Sequence, residues 1–137
     1  MKKRVMALAF CLMLVLSAGL PKVAFARASD YLSTYRILVV PKENGVVQVS
    51  ATVNGTHSRM TRIGFPVINL YEVDGDTATV VKCLSSQYNY NAGSHGVRYD
   101  YQGTIGKEYY AYASFGAEDE NGGDSRSLFS ASIIAKK

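Results

Sequence analysis

Glu108-Tyr109-Tyr110-Ala111-Tyr112-Ala113-Ser114-Phe115-Gly116-Ala117 changes character with a period of two. Tyr109, Ala111, Ala113, Phe115 and Ala117 fall on one side, and Tyr110, Tyr112 and Ser114 fall on the other. Side chains along a β-strand point alternately to its two faces, so the pattern predicts a strand with a buried inner face and two outward tyrosines. Val47, Val49, Ala51 and Val53, interleaved with Gln48, Ser50, Thr52 and Asn54, repeat the signal. Both stretches need a second apolar layer to cover their inner sides.

Outward from these two, the chain reads as short apolar or alternating runs with no sustained apolar repeat at helical spacing. Seven strands are expected: Tyr31 to Val40, Val46 to Val53, Phe65 to Val73, Thr77 to Leu84, Val97 to Gly103, Glu108 to Ala117 and Ser125 to Ala135. Asn44-Gly45, Asn54-Gly55, Asp74-Gly75 and Asn121-Gly122 each fall between two of them, and such steps tolerate the positive φ of tight turns. Seven short strands at this spacing imply an all-β chain of two packed antiparallel sheets, a β-sandwich. The longest stretch without a strand signal, Ser85 to Gly96, is expected to be a loop.

The N-terminus has a different texture. Lys2, Lys3 and Arg4 precede an apolar run from Val5 to Leu20, and Ala24-Phe25-Ala26 has the small-x-small form of a peptidase site. A helical signal peptide over 1–26 is expected, with a single mature domain over 27–137 and a secreted, extracellular destination. The apolar run is shorter than the roughly 20 residues that cross a bilayer, so no stable membrane span is expected after cleavage. Removing the leader takes away four basic and no acidic residues, which leaves eleven of each sign. A mature domain without net positive charge argues against nucleic acid as partner. Cys11 goes with the leader, so Cys83 stands alone and no internal disulfide is available.

Thr104-Ile105-Gly106-Lys107-Glu108-Tyr109, with Ala111, Ala113 and Phe115 after it, resembles the corner that opens the sixth strand of immunoglobulin-like and fibronectin type III domains. The resemblance implies that the Tyr109 hydroxyl bonds back to upstream backbone, that Ile105 packs beneath it, and that the sandwich is of this seven-stranded type. The chain lacks the Cys pair and Trp of true immunoglobulin domains, so only the architecture carries over. With the leader, Ser29-Asp30-Tyr31-Leu32-Ser33, His95-Gly96-Val97-Arg98-Tyr99 and Gly123-Asp124-Ser125-Arg126-Ser127 are similar to an uncharacterised family of short secreted proteins of clostridial-type Gram-positive bacteria. That second resemblance implies compartment and fold and no activity.

Few residues point to chemistry. Cys83 follows Val80 and Val81 and precedes Leu84, which reads as a buried packing residue and not a nucleophile. No serine has the Gly-x-Ser-x-Gly context of a hydrolase elbow. Glu118-Asp119-Glu120-Asn121-Gly122-Gly123-Asp124 gathers oxygen ligands but reads as a solvated hairpin tip, and His57 and His95 lack partners at zinc-ligand spacing. Asn54-Gly55-Thr56 matches a glycosylation sequon that the turn already accounts for. No catalytic group, metal or cofactor is expected. Tyr88, Tyr90 and His95 in the expected loop, with outward Tyr110 and Tyr112, form the candidate ligand-contact set, since aromatic rings among Asn and Ser suit recognition. The expected function is a secreted, non-catalytic binding module for an extracellular protein or cell-wall polymer. The alternative is a small bacteriocin-like or toxin-like effector.

Overall fold

The computed structural model describes residues 29–137, and the leader expected over 1–26 lies outside them. Eight strands follow in order: β1 (Leu32–Pro41), β2 (Val46–Gly55), β3 (Met60–Asp74), β4 (Thr77–Ala92), β5 (Ser94–Gln102), β6 (Glu108–Asp119), β7 (Gly122–Phe129) and β8 (Ile133–Ile134). They form two antiparallel sheets. One has the order β1-β2-β5, the other β4-β3-β6-β7, with β8 also paired to β6. The sheets pack face to face, as the alternating sequences require.

The core is the set of inward residues read from the two deciding stretches. Val47, Val49, Ala51 and Val53 meet Tyr109, Ala111, Ala113, Phe115 and Ala117 across the interface, joined by Phe65, Ile68 and Leu70 of β3. Phe65 and Phe115 pack edge to face at 5.6 Å, and Tyr35 reaches Phe115 at 5.2 Å. Such aromatic pairs add about 0.5–1.5 kcal/mol to the burial they accompany.

Three expectations about the strands are corrected. Ser85 to Gly96 is not a loop: β4 runs through it to Ala92, and β5 begins at Ser94. β4 edges its sheet, so much of its inner side meets solvent instead of a facing strand and the apolar alternation fades without the backbone leaving the sheet. β3 likewise starts at Met60, five residues before the expected Phe65. The seventh strand divides into β7 and β8: the Ser130 amide still donates to the Ala111 carbonyl of β6 at 2.8 Å, the chain leaves the ladder at Ala131 and Ser132, and it rejoins β6 at Tyr109↔Ile133.

Gly93 alone joins β4 to β5 and carries the chain from one sheet to the other. A Cβ there would lie 2.9 Å from the Ser58 carbonyl oxygen, and the Gly93 carbonyl accepts from the Gly55 amide at 2.8 Å. Only glycine admits so close a backbone approach.

The corner before β6 is built around one hydroxyl. Tyr109, fully buried, accepts a hydrogen bond from the Thr104 amide at 2.8 Å and donates to the Glu72 carboxylate. Burial, then the bond to Glu72, raises its pKa. Ile105 does not pack beneath it: at 52% exposure the side chain lies at the surface of the turn.

Candidate functional site

Strand register lays out the outer face of the β4-β3-β6-β7 sheet row by row. Val80, Tyr71 and Tyr110 form one row, and Cys83, Asn69, Tyr112 and Phe129 the next. Ser85, Val67, Ser114 and Ser127 follow. Beyond a bulge at Pro66 come Tyr88, Gly64, Gly116 and Ser125, and then Tyr90, Arg62, Glu118 and Gly123. The face thus has an aromatic end, a hydroxyl row and a trough floored by glycine.

At the aromatic end the rings hold one another. Tyr71 and Tyr110 stack at 4.9 Å with planes 12° apart, and Phe129 leans on Tyr110 at 6.1 Å and on Tyr112 at 5.0 Å. Phe129 is 66% exposed and Val80 45%. An outer strand face needs no apolar residue to fold, so a joined aromatic patch here is surplus to the core.

The trough encloses about 430 Å³. On one wall Arg62 binds Glu118 in two parallel contacts, Nε to Oε1 and Nη2 to Oε2, both 3.0 Å. The Arg62 guanidinium lies 4.6 Å from the Tyr88 ring centroid. Pro66, Gly116, Ala117, Gly123, Asp124 and Ser125 complete the lining. The Asp124 carboxylate is paired with Arg126 at 2.5 Å, and its pKa is lowered, first by a hydrogen bond from Ser29.

The expected contact residues are therefore divided. Tyr110 and Tyr112 face outward, as read, at the aromatic end. Tyr88 and Tyr90 share that face but sit on β4 beside the trough, beyond the serine row. His95 belongs to the other sheet, where its ring packs against buried Phe65 at 5.6 Å. Sequence reading missed Tyr71, Phe129, Arg62 and Glu118. Tyr71 carried a usable signal, since Leu70 and Tyr71 alternate in β3 as Tyr109 and Tyr110 do in β6; the cross-strand pairing of Arg62 with Glu118 left none.

Cys83 is exposed, on the outer face opposite Asn69, and not a core residue. Its apolar neighbours Val81 and Leu84 take the inner side. The acidic hairpin disperses its carboxylates: Glu118 goes to Arg62, Asp119 accepts from the Asn121 amide, and Asp124 goes to Arg126. Among the described residues no three His, Cys, Asp or Glu side chains converge, and no helix is long and apolar enough to cross a membrane. No protein-family model and no curated protein sequence matches the chain.

Proposed function

We propose that this chain is a secreted, non-catalytic recognition module that binds a protein partner outside the cell through the aromatic end of its outer sheet face. The joined cluster Tyr71, Tyr110, Phe129 and Tyr112 carries the reading. Aromatic anchors in a patch of this kind are the usual core of protein interfaces. The mutual stacking of Tyr71 and Tyr110 occupies ring faces that a sugar ring would need, and leaves edges and the projecting Phe129 suited to a pocket in another protein.

The immunoglobulin-like or fibronectin type III-like identity of the sandwich is part of the same proposal. Three strands facing four in the order β1-β2-β5 and β4-β3-β6-β7, and a Tyr109 hydroxyl tied to Thr104, support it. The basic-apolar-small pattern of residues 1–26 and the resemblance to short secreted Gram-positive proteins support export.

Retention of labelled protein on intact neighbouring cells, before and after protease shaving of the cell surface, tests the reading. Wild type is expected to bind unshaved cells and to lose binding on shaved ones, and a folded Tyr112→Ala, Phe129→Ala variant is expected to bind neither. Equal binding by that variant removes the patch from the argument, and binding that survives shaving removes the protein partner.

A further inference from the structure

We propose that the trough between Arg62 and Ser125 is a second, independent binding site, and that it takes a neutral oligosaccharide. Gly116 lines the trough and Gly64 is its cross-strand partner, so neither of these adjoining positions raises a side chain there. Gly64 has a reason within the fold, since a Cβ there would lie 2.1 Å from the Gln87 carbonyl oxygen. Gly116 has none. Its φ lies outside the left-handed region, and a Cβ on it would meet nothing nearer than the Pro66 ring at 3.8 Å, an ordinary contact. Neither backbone conformation nor packing calls for glycine at this position, and its effect is to keep the floor open.

The lining selects the ligand. Arg62 and Glu118 neutralise each other in a two-point contact and Arg126 neutralises Asp124, so an ion entering the trough finds no uncompensated partner. Their hydrogen-bonding capacity is not used up: the guanidinium has five N–H donors and the carboxylate about four lone-pair sites, of which the pair consumes two each. Donors and acceptors fixed side by side in this way match vicinal hydroxyl groups, which donate and accept at once. Ser125 adds a further hydroxyl, while Pro66, together with the part of the Tyr88 ring that Arg62 leaves uncovered, offers apolar surface to the C–H-bearing side of a sugar ring. The stacking of Arg62 on Tyr88 holds the set in place before a ligand arrives, which lowers the ordering cost of binding. A volume of about 430 Å³ falls in the range of small-ligand sites and accommodates a short oligosaccharide.

The site lies beyond the serine row from the aromatic end, so its occupancy does not depend on the protein-binding reading. Calorimetric titration of the protein recovered from the producing cell, with chitotetraose, cellotetraose and mannotetraose as neutral probes, tests it. A hyaluronan tetrasaccharide and a fully deacetylated chitosan tetramer serve as charged counterparts. At least one neutral probe is expected to bind, and Gly116→Val, which fills the floor, is expected to weaken it at least about tenfold with the thermal midpoint unchanged. Glu118→Gln, which keeps the shape and breaks the charge balance, is expected to weaken it as well. Tyr112→Ala is expected to bind as wild type does. Binding of no neutral probe, tighter binding of a charged probe, or undiminished binding by both trough variants overturns the proposal.

Discussion

On its inner face β6 contributes Tyr109, Ala111, Ala113, Phe115 and Ala117, none more than 3% exposed; on its outer face it contributes Tyr110, Tyr112, Ser114, Gly116 and Glu118, all partly exposed. The same residue type is used in opposite ways. Tyr109 spends its hydroxyl on Thr104 and Glu72 inside the fold, whereas its neighbour Tyr110 lies against Tyr71 at the surface. Inner residues are fixed by the volume the opposing sheet leaves and by the partners it provides. Among the described residues, nothing covers the outer ones. Large rings there are free of folding duty, which is why the recognition reading rests on that face.

The sharpest break of this contrast comes from truncating one ring on each side. Phe115→Ala leaves a cavity between Tyr35 and Phe65 that close-packed neighbours refill only in part, and a loss of about 3–5 kcal/mol is expected. Tyr112→Ala removes a ring already in contact with solvent, for an expected loss of about 1 kcal/mol or less. Urea titration of both variants measures the difference. Comparable losses would mean that the outer cluster belongs to the folding core.

Hydroxyl removal repeats the test more finely. Tyr109→Phe strands the Thr104 amide and the Glu72 carboxylate together, and about 1–3 kcal/mol of destabilisation is expected. Tyr110→Phe, one residue along, is expected to stay within about 0.5 kcal/mol of wild type. Equal stability of the two would detach the corner from the stability of the sandwich.

The inner face was legible because its physics is local to the strand: alternation at Val47 to Val53 and at Tyr109 to Ala117 states both the element and its orientation. The outer face was legible only by subtraction. Tyr110 and Tyr112 could be read as outward, but the company they keep is set by β3 and β7, through a register that bulges at Pro66 shift. The loop expected over Ser85 to Gly96 failed for a related reason. An edge strand overhanging the opposite sheet can carry Gln87, Asn89 and Asn91 without burying them, so hydrophobic period falls silent where hydrogen bonding to β3 continues. Cys83 was misplaced by one position of that same strand, enough to move a side chain to the other face.

Tyr99 marks an inner position where the accounting is incomplete. Its hydroxyl is buried without a hydrogen-bond partner, and burial pushes its pKa up to about 12 from the usual 10.0. The folded state therefore holds the phenol neutral where the unfolded state ionises. Stability from this source is complete below about pH 10 and is lost as pH rises through about 12. Tyr99→Phe is expected to be neutral or stabilising by up to about 1 kcal/mol at neutral pH and to flatten the alkaline fall in the urea midpoint. A variant that loses stability at neutral pH would show that the hydroxyl has a partner.

Cys83 gives the smallest expected effect on stability and the cleanest reading of which way β4 faces. Val81 and Leu84 turn toward the core, while Cys83 stands opposite Asn69 on the outer side, one row from Tyr110 and level with Tyr112 and Phe129. A thiol in that position reacts at a rate set by solvent and not by unfolding, so native protein is expected to label with a maleimide as fast as denatured protein within a few-fold. Cys83→Ser, which exchanges one small exposed group for another, is expected to change the urea midpoint by less than about 0.5 kcal/mol. Slow labelling together with a loss of 2 kcal/mol or more, the size expected of a core truncation, would turn β4 over. The register would then place Asn69 and Tyr112 inside as well, against the full burial of Ile68, Leu70, Ala111 and Ala113. The labelling rate of one side chain thus tests the orientation on which both proposed sites depend.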